Sequence, residues 1–287
     1  MRIAFITDIH IGATAAGWQQ QPRWCEGIPA VLAALAARLA ELRPDLLIIG
    51  GDIVENAAAD AVNGAVSALR DLPCPTLVCL GNHDLTEPAS YPFWRRALWD
   101  WPRATLADRM LEFPECDVIG LNNHWLDGGE AKLFWNRQMP AATLTADQLR
   151  QLDAWLARRS DRPAVLAMHA PLFPLPPQLT GRAEPSDVPP PAYAEEVKAL
   201  LQRHRRLRLV LSGHCHAACA TPLSGSCTHL SATSLTEVPF QFPLVEVSPR
   251  GVSVRTEQLG LSGGAAMNSE KAWVMGRGAD RQFALHQ

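Results

Sequence analysis

An α/β fold built around a mainly parallel sheet is predicted by three features of this 287-residue sequence. Apolar runs of strand length recur along the chain, segments with helical spacing lie between them, and a polar cluster follows each run. The runs are Ile3 to Ile6, Leu46 to Ile49, Thr76 to Leu80, Ala164 to Met168 and Leu207 to Leu211. They show little polar alternation, which marks strands covered on both faces. Ligands of such sheets bind beyond the carboxyl ends of the strands, where all five polar clusters fall.

Between the runs, Ile28 to Leu42 carries Val31, Leu32, Leu35, Leu39 and Leu42 at threes and fours, and Pro29 suits a first helical turn. Ala58 to Leu69, Ala146 to Ala157 and Ala192 to Arg203 read as helices in the same way. Thr145 followed by Gln148 is a capping-box pattern that would start the third of them. Asp117 to Leu121 is a further candidate strand, and His124 follows it. Prolines crowd Pro171 to Pro191, which excludes a helix or central strand and predicts a stiff, extended loop, either a surface connection or a substrate lining. Pro88 to Pro140 carries Trp94, Trp99, Trp101, Trp125 and Trp135, expected to fill core. Residues 1–260 are expected to form one domain, and 261–287 a C-terminal tail or an arm packing on a neighbour, compatible with a homo-oligomer.

Composition narrows the function. A 47% hydrophobic chain of this length buries a full core, and a net charge of -3 disfavours long nucleic acid as a partner. The one dense basic run, Arg203-His204-Arg205-Arg206-Leu207-Arg208, is read as a solvated helix end rather than a phosphate-binding patch. No apolar stretch reaches the roughly 18 to 20 residues of a membrane span. The chain moves from Met1 straight into a strand with no leader pattern, so a cytoplasmic protein is expected. Cysteines at 25, 74, 79, 116, 215, 219 and 227 make an odd, scattered set, read as reduced thiols. Cys215 and Cys219 beside His214 and His216 lack the second ligand pair that a structural zinc site requires.

The chemistry lies in the clusters Asp8-Ile9-His10, Gly51-Asp52, Gly81-Asn82-His83-Asp84, His169-Ala170-Pro171 and Gly213-His214-Cys215-His216. Hydrolysing a phosphoester at neutral pH needs a nucleophile stronger than water and positive charge near the phosphoryl oxygens. Two metal ions about 3.5 to 4 Å apart supply both. Two cations that close need an anionic bridge, which a carboxylate such as Asp52 provides, while neutral imidazole and amide oxygen complete each shell. Such mixed N and O ligands suit iron, manganese or zinc. Asp8 and His10, two apart, can face one metal only if the strand has ended and the backbone turns. Each short motif is weak alone, and their ordered occurrence, each behind an apolar run, is what carries the signal.

On these motifs the sequence resembles the calcineurin-like metallophosphoesterase superfamily. The resemblance implies a four-layer αββα sandwich with a dinuclear site at the carboxyl ends of the strands. It implies one metal held by Asp8, His10, Asp52 and His216, and a second by Asp52, Asn82, His169 and His214, with Asp52 bridging. His83 would face the substrate as a catalytic group, Asp84 would orient His83, and His124 is a possible substrate contact. Leu144-Thr145-Ala146-Asp147-Gln148-Leu149 with Trp155-Leu156, and Ser231-Ala232-Thr233-Ser234, resemble the class III branch acting on cyclic nucleotides and glycerophosphodiesters. That branch commonly has His-His-Pro where this chain has His169-Ala170-Pro171.

The function expected is hydrolysis of a small soluble phosphodiester, by attack on phosphorus from a hydroxide bridging the two metals. The alternative is a phosphomonoesterase acting on a nucleotide, a sugar phosphate or a phosphoprotein. A catalytically silent scaffold would have lost ligands, and none is missing here.

Overall fold

The structure, a computed structural model, describes residues 1–14, 20–124, 141–158, 161–179, 183–185, 188–248 and 250–286. Strands β1 (Arg2–Ile6), β2 (Leu46–Gly50), β3 (Thr76–Cys79) and β4 (Ala104–Leu106) run parallel. On the far side of β1, the antiparallel strands β11 (Gln241–Ser248), β12 (Gly251–Gln258) and β13 (Gln282–His286) complete a seven-stranded sheet. A second sheet has a parallel centre of β6 (Asp117–Gly120), β7 (Ala164–Ala167), β8 (Leu207–Ser212) and β10 (Thr228–Ser231). Its antiparallel edges are β5 (Arg109–Glu112) and β9 (Cys219–Pro222). Where a mainly parallel sheet was predicted from the runs, two mixed sheets form. Runs bound for different sheets look alike because each is buried on both faces.

Alternation along the strands builds the layers. Ile3 and Phe5 of β1 and Leu46 and Ile48 of β2 face Val165, Ala167, Leu209 and Leu211 of the second sheet. Ala4, Ile6, Leu47 and Ile49 point the other way, against α1 (Ile28–Leu42) and α2 (Ala59–Leu69). On the far side, Leu166 and Val210 meet α4 (Ala146–Ala157) and α5 (Pro191–Arg203). The result is the αββα sandwich. Leu207 and Leu209 face opposite layers although two apart, because the β7–β8 register shifts between Ala164 and Val165 and leaves Arg208 as the extra residue. Thr145 and Gln148 make the predicted capping box at α4.

Several expectations change. Trp94, on α3 (Ser90–Ala97), and Trp101 are fully buried, but Trp99 is 87% exposed; Trp125 and Trp135 lie outside the described residues. The basic run is not simply a solvated helix end: Arg206 is buried and donates to the Trp155 and Leu156 carbonyls at the end of α4. It also donates to Asp117 Oδ2 at 2.9 Å, and Arg162 holds Asp117 Oδ1 at 3.0 Å. No disulfide joins the seven cysteines, all of which are among the described residues. Among the described residues no helix is long and apolar enough to cross a membrane. Residues 261–286 lay a short 3-10 segment (Ser269–Met275) and α6 (Gly278–Arg281) behind the β8–β9 connection, and end as edge strand β13.

Removing one cation from the wholly buried Asp117 leaves its charge partly unanswered. Arg206→Met is expected to cost about 3 kcal/mol of stability, and the exposed neighbour change Arg205→Met no more than about 0.5 kcal/mol; urea unfolding of both variants checks the difference.

Candidate metal centre

The five polar clusters meet on one rim, three from the ends of β1, β2 and β3 and two from the ends of β7 and β8. Asp8, His10, Asp52, His214 and His216 all have left-handed backbones, with φ of 54°, 52°, 51°, 68° and 51°. Each such residue costs on the order of 1 kcal/mol, and hydrogen bonds across the rim hold them there. Asp8 N donates to Gly51 O at 2.9 Å, His10 N to Asp52 O at 3.0 Å, and Gly213 N to His169 O at 2.9 Å. These turns give Asp8 and His10, two apart, the means to face one point.

The side chains form two overlapping groups. In the first, His216 Nε2 is 3.1 Å from Asp8 Oδ1, and His10 Nε2 is 4.0 Å from the same oxygen. In the second, Asn82 Oδ1 is 3.2 Å from His169 Nε2 and 3.0 Å from His214 Nδ1. Asp52 stands between them, with Oδ2 3.8 Å from His10 Nε2 and 3.2 Å from His169 Nε2. Its other oxygen accepts the His83 backbone N–H at 2.8 Å. His10 Nε2 is buried without a hydrogen-bond partner, which costs about 1–3 kcal/mol unless something binds there. An orphan nitrogen aimed between two buried carboxylates fits a cation.

The charges agree. Burial opposes ionisation of Asp8 and Asp52, yet the imidazoles of His216 and His169 hold both carboxyls well below the usual carboxylate range. Burial likewise opposes protonation of His169, but the adjacent Asp52 pushes it up to about 9. His216 is raised in the same way by Asp8 and Glu237, against burial. The rim therefore attracts positive charge, which protons or metal ions can supply.

Two glutamates escaped the motif reading. Glu55 Oε2 lies 2.8 Å from His10 Nδ1, and Glu237 Oε1 lies 2.6 Å from His216 Nδ1. A carboxylate behind a ligating imidazole fixes its tautomer and raises its basicity. The ligand atoms of His10, Glu55 and His83 also cluster, but the His10–Glu55 approach is a hydrogen bond between Nδ1 and a carboxylate that supports the ring. A lone Glu a few residues past a motif has no spacing signature, so sequence carries no sign of either role.

Asp84 does not orient the His83 ring. Its carboxylate accepts the backbone N–H groups of Ile53, Val54 and Gly81, which locks the β2 and β3 exit turns together. His83 Nδ1 sits instead 2.9 Å from the Glu55 carbonyl. His124 is buried, with its ring centroid 5.5 Å from that of His169 and 6.3 Å from that of His214. Asn122, also missed, ties the two sheets together, and Asn123 ties the exits of β6 and β7 within the second. Leu80 N donates to Asn122 Oδ1 at 2.7 Å, while Asn123 Nδ2 donates to Ala170 O at 2.8 Å and Asn123 Oδ1 accepts the Ala170 N–H at 3.2 Å.

A model of the calcineurin-like phosphoesterase family matches residues 1–218, a span that contains all five clusters, and the chain belongs to that family. It is 28% identical over 218 residues to a probable cyclic nucleotide phosphodiesterase of Synechococcus, covering 76% of this chain and 74% of that protein. Identity to a 3',5'-cyclic-nucleotide phosphodiesterase of Nostoc is 26% over 219 residues, covering 75% and 71%. Among solved structures, a dimetal phosphatase from Danio rerio superposes with a TM-score of 0.67 at 15% identity, over 90% of this chain and 96% of that one, and so shares the fold.

A Cβ on Gly213 would run into Thr7 Oγ1 and Asp8 Oδ2, the oxygen that accepts the Thr7 hydroxyl and the His214 N–H. Gly213→Ala is expected to lower stability by about 1–3 kcal/mol and to reduce bound metal, checked by thermal unfolding and by metal analysis after reconstitution.

Proposed function

We propose that this calcineurin-like phosphoesterase hydrolyses a small phosphodiester. One divalent ion would be held by Asp8, His10, Asp52 and His216, and a second by Asp52, Asn82, His169 and His214. The observation that carries the reading is the position of Asp52, whose Oδ2 faces a nitrogen of each group at 3.8 and 3.2 Å. When bound, iron, manganese or zinc supplies Lewis-acid polarisation of the phosphoryl group and an acidified water.

The chain's own residues do the rest. Asp52 keeps its bridging orientation because Oδ1 is tied to the His83 backbone N–H, so the turn that carries the catalytic imidazole also sets the carboxylate. The Glu55 carbonyl can only accept, so His83 Nδ1 carries a hydrogen, and Nε2 becomes the atom that exchanges a proton with the leaving oxygen. The His83 side chain is 19% exposed, enough to meet a substrate at the rim, whereas His124 is buried with its ring beside those of His169 and His214.

The diester preference is supported by the two relatives named as cyclic nucleotide phosphodiesterases. Position 170 tempers the choice of substrate. Ala170 is buried with its backbone clamped on both sides by Asn123, so no side chain from that position reaches a phosphate or base. A compact diester, bound mainly through its phosphate, suits such a site.

His83→Ala is expected to retain bound metal and lose about 10² to 10⁴ in kcat, while Asp52→Ala loses both. Rates on bis-p-nitrophenyl phosphate, p-nitrophenyl phosphate, cyclic nucleotides and glycerophosphodiesters, measured with each candidate metal, test the substrate class. Strong preference for the monoester overturns the diester reading, and full activity in protein stripped of all metal overturns the metal centre itself.

A further inference from the structure

Behind His216 lies a chain of buried hydrogen bonds that ends in the C-terminal segment. His216 turns Nε2 toward Asp8, and its Nδ1 lies 2.6 Å from Glu237 Oε1. Glu237 is 2% exposed, and its other oxygen accepts the backbone N–H of Gln21 at 2.9 Å. With Nε2 as a metal ligand, Nδ1 carries the hydrogen, so both partners of Glu237 are donors. A carboxylate accepts from both at once, whereas an amide leaves one donor facing an N–H₂ group.

Gln21 is itself buried and is occupied on every side by the C-terminal chain. Its Nε2 donates to the carbonyls of Asn268 at 3.1 Å and Lys271 at 2.9 Å, and its Oε1 accepts the Asn268 N–H at 2.8 Å. The same segment braces the chain just past His216. Ala218 N donates to Val274 O at 2.7 Å, and Ala220 N to Asp280 Oδ1 at 3.1 Å. Residues 22–24 are in turn stitched to the Glu237 loop: Trp24 N donates to Thr236 O at 3.0 Å, and Val238 N to Pro22 O at 3.2 Å. The Trp24 ring lies where a Cβ on Gly263 would fall, so the Gly-rich stretch admits the ring.

We propose that Gln21, Glu237 and the strip Asn268–Asp280 form a positioning device for His216, which fixes the ring's rotation and tautomer and thereby sets metal affinity at the group of Asp8, His10 and His216. This rests on the reading of His216 as a metal ligand. The described part of the C-terminal segment, whose role the sequence left open, then acts on the metal centre from behind through Asn268–Asp280. Glu237 and the strip lie outside the span 1–218 that the family model matches, Gln21 lies inside it, and none of them is among the candidate ligands. The second group is held from other elements: His169 Nδ1 lies 2.8 Å from the Gly50 carbonyl, and Asn82 stands on the β3 exit turn. The device should therefore act on one ion and not on the other.

The test uses the full chain as wild type, Gln21→Ala and Glu237→Gln, with Mn²⁺ and Zn²⁺ affinities measured by chelator competition and two-step calorimetric titration. Gln21→Ala removes three bonds to the strip yet keeps the backbone N–H that Glu237 needs, so two links of the relay are probed separately. One binding step is expected to weaken by about 10 to 100-fold in each variant, with the other step unchanged. Wild-type affinity in both variants overturns the proposal, and so does equal weakening of both steps, which would mark a general support of the fold. A wild-type chain that binds no metal overturns the reading of the metal centre instead, and with it the premise of this device.

Discussion

Asp8 and Asp52 are buried carboxylates that must both stay ionised within reach of the same imidazole nitrogen, His10 Nε2. Two like charges taken out of water and set together repel, and each loses its hydration. The rim is arranged around that cost. Backbone N–H groups of His83 and His214 point at the two carboxylates, the Thr7 hydroxyl donates to Asp8, and four histidines from both sheets surround the pair. Asp84, a third buried carboxyl, shows the other outcome. Burial, with Asp52's charge added, raises it to about 8, and the backbone N–H groups of the exit turns offset that rise only in part.

Left-handed backbone is the conformational counterpart. A strand that simply continued would point alternate side chains to opposite faces, so Asp8 and His10 would not both turn to one cation without φ near 50°. Glycines at 51, 81 and 213 leave no side chain where His169, Asp52 and Asp8 approach the neighbouring turns. Strain and close approach thus gather at the rim, while the three apolar layers behind it are regular. A packed sandwich with conventional helices tolerates several residues in costly conformations at one end, because the layers over-determine where the strand ends lie.

Much of this was readable from the residue pattern, and the remainder failed for specific reasons. Strands buried on both faces are written as uninterrupted apolar runs, so β1, β2, β3, β7 and β8 were visible, and helical spacing placed α1, α2, α4 and α5 within a residue of their observed ends. The same lack of alternation hid which sheet each strand joins. The hairpin β11–β12 went unread although Ser248-Pro249-Arg250-Gly251 between its strands is a turn sequence, and β13 joins it from residues 282–286. Candidate ligand residues were visible because they follow strands in clusters. Glu55, Glu237, Gln21 and Asn122 work through His10, His216, Lys271 and Leu80, 21 to 250 positions away, and a single polar residue carries no trace of a partner that distant. Arg206 looked like its exposed neighbours because burial of one cation in a basic run depends on Asp117, a strand residue from elsewhere in the chain.

Each candidate ligand group takes residues from both sheets, and this joins metal chemistry to the stability of the sandwich. Asp8 and His10 leave the first sheet and His216 the second; Asn82 leaves the first, His169 and His214 the second. A bound ion in either group would cross-link two sheets whose other contact is largely apolar packing, which resists separation but is tolerant of sliding. Asn122 supplies a directional link at that same edge, anchored through Asp108 and the capping-box residue Gln148, which donates to Asp108 Oδ1 at 2.7 Å and to Asn122 O at 2.8 Å. The helix that caps itself with Gln148 therefore also sets the spacing between the exits of β3 and β6. Any ligand that binds the folded rim and not the unfolded chain stabilises the fold in proportion to the logarithm of its occupancy ratio, so the positions of these distant polar residues, though far from phosphorus, bear on both the holding of the ions and the holding of the sheets.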